Sequence, residues 1–259
     1  MTLRPFFSFF GSKWRLAPEY PRPQYRTIVE SFSGSAGYSL HYPYLRVILV
    51  DADPQIAGLW RYLIRATPAE IMSLPDLEPG QDADDLNLPQ EARGLIGRWV
   101  NKGSATPCQS PSQWMRNSAH TVTDLLDGGE RTLYETQFWG HRIRQRIAIQ
   151  LPQIRHWQVI EGDYRESPDI KATFFVDPPY QVAGRHYRIA DLDYRQLGAW
   201  CRSRQGQRIV AENEGATWLD FVPFRRVQGT CGAHRTGISK EVIWTTSDVE
   251  EVAWWTDDQ

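Results

Sequence analysis

Two short apolar runs stand near the start of the chain, at 26–32 (Arg-Thr-Ile-Val-Glu-Ser-Phe) and 46–51 (Arg-Val-Ile-Leu-Val-Asp), and each predicts a buried strand. The small-residue stretch between them, Ser33-Gly34-Ser35-Ala36-Gly37-Tyr38-Ser39-Leu40, predicts a loop that opens a helix. Beyond the second run, Ile56, Leu59, Trp60, Leu63 and Ile64 share one face at helical spacing. Asp53 and Pro54 stand where an N-cap and a first helical residue belong. After Ala66 this rhythm stops. Positions 67–150 are polar and broken by Gly, Pro, Asp and Ser, with candidate helices only at 91–100 and 122–126. Strands resume at 157–161, 174–176 and 207–211. A helix starting near Asp191 or Asp193 presents Leu197, Trp200 and Cys201. The runs 225–229 and 240–246 predict an antiparallel closing pair, with Arg235 in the loop between them. Strand and helix in alternation predict an α/β fold built on one sheet. The expected division is 1–66 with 151–259 as one domain and 67–150 as an inserted subdomain.

Composition narrows the class. Over 259 residues, 41% hydrophobic and 23% charged content suit a globular chain with a full core. The first 26 residues carry no signal pattern, and no run reaches transmembrane length, so a cytoplasmic protein with no membrane partner is expected. Cys108, Cys201 and Cys231 form neither a zinc pattern nor a disulfide framework. His186 and His234 lack ligating partners in sequence, so no metal is expected. The net charge of −2 hides an uneven distribution. Stretch 70–91 holds seven acids and no base, whereas 131–155 holds five arginines against one acid and 185–208 holds six against two. Of 29 basic residues, 25 are arginine, whose forked guanidinium suits phosphate oxygens and guanine edges. Arginine clusters around one candidate site point to a nucleic-acid partner.

That site is centred on Asp177-Pro178-Pro179-Tyr180. The two prolines lack an N–H and cannot continue a ladder, so the chain must leave the sheet at its carboxyl edge, where open α/β sheets bind ligands. Ionised Asp177 and the Pro178 carbonyl are two acceptors side by side, matched to an NH₂ group with two hydrogens to donate. Tyr180 offers a flat face to a planar ring. Together they read as a holder for an amino group on an aromatic heterocycle.

Other strand ends supply a second ligand. Gly34 and its small neighbours allow close backbone approach, and helix-start N–H groups after the loop would favour a negative group. Asp51, at the end of the second strand about 20 residues past the glycine loop, is placed to bond ribose hydroxyls. Asp163 could accept from a ligand amino group and Tyr164 could line a pocket. In the aromatic loop 5–13, rings could pack on a flat ligand while Lys13 reaches a carboxylate. Strand, glycine loop, helix and acid also occur in NAD-type oxidoreductases, but nothing here supplies a hydride-transfer acid or base.

In their order, these motifs resemble the Dam-type DNA adenine-N6 methyltransferases of bacteria and phages. The segment 9–13 is similar to that family's N-terminal cofactor motif, and 30–37 to its glycine motif. Asp51 matches its ribose-binding acid, Gly162-Asp163-Tyr164 its adenine-side motif, and Asp177-Pro178-Pro179-Tyr180 its catalytic motif. The resemblance covers 5–66 and 157–246. It implies a Rossmann-like sheet that binds S-adenosylmethionine, with target recognition in the 67–150 insertion, and methyl transfer to adenine N6 in a specific duplex DNA sequence after base flipping. It further implies a catalytic set of Asp177, Pro178 and Tyr180. The implied cofactor set is Phe9, Lys13, Glu30, Ser33, Gly34, Gly37, Asp51, Asp163 and Tyr164. For DNA contacts the expected residues are Arg116, Asn117, Arg142, Arg144, Arg185, Arg188 and Arg235, with Trp114, Trp139, His141 and Arg146 lending the insertion aromatic and cationic character. A monomer or weak dimer in a bacterial or phage-infected cell, within or outside a restriction-modification system, is the expected setting. Methylation of cytosine N4 or of RNA, and an inactive DNA-binding relative, are the alternatives.

Overall fold

The computed structural model describes residues 2–77, 81–100, 107, 138–182, 191–231 and 234–247, and the side chains of these outside 227–238. Among them, seven strands form one sheet: β1 (Thr27–Glu30), β2 (Arg46–Asp51), β3 (Gln158–Glu161), β4 (Ala172–Val176), β5 (Gly206–Asn213), β6 (Val222–Cys231) and β7 (His234–Thr246). Their spatial order is β3-β2-β1-β4-β5-β7-β6. The first five are parallel, and β7 pairs antiparallel with both β5 and β6. This is the open, mostly parallel Rossmann-like α/β sheet expected from the sequence. Its direction of growth reverses between β1 and β4, which makes their carboxyl ends the topological switch point where such sheets hold ligands.

Alternation along the strands sends side chains to two layers. One face buries Ile28, Val47, Leu49, Phe175 and Ile209 beneath the N-terminal segment, α1 (Pro54–Arg65), α3 (Gln90–Val100) and α4 (His141–Gln150). The other buries Val29, Ile48, Val50, Phe174, Val176 and Val210 against Leu197 and Cys201 of α5 (Tyr194–Ser203). β4 is buried at every position, its one polar side chain, Thr173, donating its hydroxyl to Gln207 Oε1 at 2.9 Å.

The expected Asp53 cap is present, and the structure adds two more. Asp53 accepts from Gln55 N–H at 2.9 Å at the start of α1, with Pro54 first in the helix. Asp193 caps α5, accepting from Gln196 N–H at 3.0 Å. Thr67 and Glu70 form a reciprocal capping box on α2 (Pro68–Ser73). The described parts of 67–150 do not stand apart from the sheet domain. Ile71, Leu95, Ile96, Trp99 and Ile147 join the same core as α1, and Trp99 Nε1 donates to Phe6 O at 2.8 Å. The candidate helix at 122–126 lies outside the described residues.

Two local expectations are corrected. No α-helix follows the glycine loop, only a 3₁₀ turn at Ser39–His41. Pro43 lacks an N–H and disfavours helical geometry at Tyr42, so the segment has no room to propagate. Arg235 lies within β7 and not in the closing loop, because the hairpin strands are longer than their apolar cores and pair as far as Cys231 with His234.

Candidate active site

The glycine loop is fastened to the end of β2. Ser33 N–H donates to Val50 O at 2.9 Å, and Asp51 accepts from Gly34 N–H at 2.9 Å, Ser33 Oγ at 3.1 Å and Asp53 N–H at 3.0 Å. Trp60 Nε1 donates to Gly34 O at 2.8 Å from beneath. Gly34 has φ +43°, and a Cβ there would stand 2.9 Å from the Phe9 ring. At Gly37 a Cβ would meet backbone nitrogens, Trp14 at 2.7 Å and Lys13 at 3.0 Å, so the loop and the N-terminal turn touch main chain to main chain. Ala36 also takes a positive φ, of 52°, which no sequence signal announced.

Asp177 follows β4 beside this loop, since β1 and β4 are paired with Glu30 opposite Phe175. The loop it begins is held from three sides. Tyr194 on α5 donates its hydroxyl to Pro179 O at 2.6 Å, Glu212 on β5 accepts from Gln181 N–H at 2.8 Å, and Tyr180 donates to Glu241 on β7. Glu212 is wholly buried and also accepts from Trp218 Nε1 at 3.0 Å. Sequence reasoning missed Tyr194, Glu212 and Glu241. Glu212 carried a usable signal, being, like Asp51 and Asp163, an acid at the end of an apolar strand. Glu241 and Tyr194 carried none, because their roles depend on which element lies across the cleft.

One cavity of about 550 Å³, within the ~300–1,000 Å³ usual for small-molecule sites, joins these parts. It is bordered by Phe9, Lys13, Glu30, Ser33, Gly34, Gly37, Asp51, Asp163, Tyr164, Asp177 and Pro179, together with Asp53, Glu161, Asp191, Asp193 and Arg165. Nine residues expected to meet a cofactor are thus brought to one space with Asp177. Phe32 and Tyr164 stack at 5.7 Å on its wall, and Tyr164 bonds Gln196 of α5.

Within that space several roles differ from expectation. Lys13 does reach a carboxylate, but it is the protein's own: Nζ lies 3.1 Å from Asp177 Oδ1, in a side chain 8% exposed. Glu30 Oε1 accepts from Ser39 N–H at 2.6 Å, and burial pushes its carboxyl up to about 8, so it is largely uncharged at neutral pH. Asp163 has both oxygens engaged by the Arg165 guanidinium and one by Arg165 N–H, bonds that hold its carboxyl below the ordinary range and leave little capacity for a ligand amino group. Burial raises Asp51 to about 6 against the pull of its hydrogen bonds. Asp177 also rises to about 6, through burial first, opposed by Lys13 and reinforced by Glu241 and Glu212. It is therefore mostly ionised at pH 7 and able to accept.

The expected DNA contacts divide. Arg116, Asn117, Arg185 and Arg188 lie outside the described residues, as does Trp114, and the Arg235 side chain is not described. Arg142 and His141 are exposed at the start of α4. Arg144 is a correction. It is 8% exposed, donates to Leu74 O at 2.5 Å, pairs with Asp76 at 2.9 Å and lies over Trp139, tying α4 to the end of α2. Arg146 packs over Trp99, Arg155 bonds Ile64 O and Ala66 O, and Arg208 bonds Arg204 O. Much of the arginine excess thus secures backbone carbonyls, a use that sequence clustering cannot distinguish from phosphate binding. Among the described residues no His, Cys, Asp and Glu group could hold a metal ion, and no helix is long and apolar enough to cross a membrane.

No family model matches the chain, and no curated protein matches it. Among solved structures, HI0767 of Haemophilus influenzae, a proposed methylase, is similar over 90% of this chain and 85% of that one, at 9% sequence identity and a TM-score of 0.31.

Proposed function

We propose that this chain is an S-adenosylmethionine-dependent methyltransferase acting on the exocyclic amino group of a nucleobase, adenine N6 in duplex DNA. The observation that carries the reading is the shared cavity. Asp177 and Pro179 open onto the same space as the glycine loop and Asp51, at the sheet's switch point.

The residues present fit the cofactor better than they fit a dinucleotide. Seven acids besides the largely uncharged Glu30 border the cavity (Asp51, Asp53, Glu161, Asp163, Asp177, Asp191, Asp193) against the two cations Lys13 and Arg165. Such a lining favours a ligand with sulfonium and ammonium charges over one with a pyrophosphate. The loop after β1 also lacks the α-helix whose N-terminus holds a pyrophosphate in dinucleotide folds. S-adenosylmethionine would supply an electrophilic methyl group. Asp51 and the loop backbone would hold its polar end, and Tyr164 and Phe32 would flank its ring.

Asp177 acts on the acceptor. An aromatic amine is a poor nucleophile because its lone pair is conjugated with the ring. Accepting its hydrogens at Asp177 and the Pro178 carbonyl favours a tetrahedral nitrogen and frees that lone pair. As the new N–C bond forms, the sulfonium–methyl bond would break with its electron pair staying on sulfur, leaving the neutral thioether S-adenosylhomocysteine; the nitrogen becomes positive, and the carboxylate opposite it stabilises that charge. The nitrogen then sheds one proton to Asp177, which returns it to water, so the product is a neutral secondary amine. Tyr180, fixed by Glu241, would stack on the base once it has left the helix. Arg142 and the arginines outside the described residues are the proposed phosphate contacts, which would make binding salt-sensitive.

The test is mass spectrometry of nucleosides from unmethylated DNA incubated with protein and cofactor. N6-methyladenine supports the reading. N4-methylcytosine would move the target to the other amino base, and unmodified DNA with tight NADH binding would overturn the assignment.

A further inference from the structure

Two carboxylates, Glu212 from β5 and Glu241 from β7, oppose the charge of Asp177, while Glu30 lies on β1. The cation that faces it is Lys13, from the single 3₁₀ turn Lys13–Arg15. The Lys13 ammonium stands 3.1 Å from Asp177 Oδ1 and 4.7 Å from the centre of the Tyr180 ring, and donates to Gly11 O at 3.2 Å. A nitrogen bonded to Asp177 and lying over Tyr180 is what the target amino group must also become. Asp177 Oδ2 could accept a second donor, but the ammonium over the Tyr180 ring fills the space that a base stacked on that ring would take.

We infer that Lys13 is the resident occupant of the amino-group site, and that a target amine enters by exchanging with the Lys13 ammonium at Asp177. This rests on the reading of Asp177 as the holder of the target amino group. The backbone around Lys13 is fixed. The glycine loop lies against Lys13 N and Trp14 N, and Trp14 Nε1 donates to Leu3 O at 2.7 Å. What can move is the four-carbon stem, so the exchange is a rotation of one side chain. Lys13 cannot leave at no cost, because a buried carboxylate without a partner is strongly unfavourable. A target NH₂ resupplies hydrogens but, in its ground state, no charge. The positive charge that Lys13 takes away returns only when the nitrogen is being methylated. The resting ion pair therefore resembles the transition state more than the bound substrate, the arrangement that favours reaction over mere binding. A ring with a carbonyl in place of the amino group sets acceptor against acceptor and cannot displace the lysine.

The chain has four lysines, Lys13, Lys102, Lys171 and Lys240, so each can be followed by peptide mass spectrometry after a pulse of N-hydroxysuccinimide acetate. In the free protein with S-adenosylhomocysteine present, Lys13 should acetylate on the order of tenfold more slowly than exposed Lys171, as a paired side chain protected except during local opening. Adenosine should raise the Lys13 rate several-fold and inosine, which has no amino group, should not. Equal labelling of Lys13 and Lys171 in the free protein overturns the inference, as does an equal response to inosine. Lys13 that stays protected with adenosine, while the same preparation methylates DNA, overturns the exchange and leaves the function standing. No response to adenosine together with no methylation of DNA overturns both.

Discussion

Tyr180 at the end of β4 donates its phenol hydrogen to Glu241 Oε2 on β7, two strands away, at 2.5 Å. Glu241 in turn accepts from Ser239 Oγ at 2.9 Å. Burial and the neighbouring Asp177 and Glu241 hold the Tyr180 phenol far above its ordinary range, so it remains a donor. The bond fixes the plane of the ring that the target base would meet, and it ties the closing hairpin to the candidate site.

Tyr180→Phe keeps the ring and removes this bond. It should cost about 1–3 kcal/mol in urea unfolding, the penalty for leaving a buried charged acceptor short of a donor. Cofactor affinity, which depends on β1 and β2, should be unchanged by calorimetry. A variant as stable as the parent would show that the Tyr180–Glu241 bond contributes nothing.

Glu30 makes a pH-dependent contribution to stability. Its folded carboxyl sits at about 8, well above its ordinary 4.5. The folded protein therefore keeps a proton that the unfolded chain loses. That contribution is complete below pH 4.5 and is lost as pH rises towards about 8. Glu30→Gln keeps an oxygen for Ser39 N–H and cannot ionise. Its melting temperature should vary less across that interval than the parent's and exceed it at the alkaline end. Parallel stability profiles for the two proteins would contradict a buried, protonated Glu30.

Two glycines predict opposite outcomes. Gly37→Ala would push a methyl group to within 2.7 Å of a backbone nitrogen, so it should destabilise by about 1–3 kcal/mol and loosen Lys13 from the loop. Gly94 lies inside α3 with nothing within 4 Å of a Cβ, so Gly94→Ala should stabilise by about 0.5–1 kcal/mol. Thermal unfolding of the pair checks both, and a neutral Gly37→Ala would mean the loop is not packed as described.

Much of this was legible in the chain. Strand ends at Asp51 and Asp177, the Asp53 cap, a helix start near Asp191 or Asp193 and the α1 face follow from local rules of periodicity and backbone chemistry, and these rules suffice wherever a residue's partner is near in sequence. They fail where the partner is distant. Lys13 meets Asp177 across 164 positions (177 − 13), so the sequence could say that it sought a carboxylate but not which one. Arg144 looked like a phosphate contact because its carbonyl partner at Leu74 becomes a neighbour only when α4 packs on α2. The helix expected after Gly34 failed for a local reason that was visible, namely Pro43.

Asp177 is the residue on which the proposed chemistry turns. Its carboxyl titrates at about 6 in the free protein, so methyl transfer should fall as pH drops through that value, because the acceptor is lost on protonation. Asp177→Asn keeps the shape and removes the charge. In single-turnover reactions at neutral pH with duplex DNA and labelled cofactor, the parent should place label on adenine, and Asp177→Asn should be slower by roughly 10²-fold or more with cofactor affinity unchanged, as expected for loss of one preorganised polar group. An Asp177→Asn variant that methylates adenine at the parent's rate, with the same acid limb in its pH profile, would contradict the Asp177-centred mechanism.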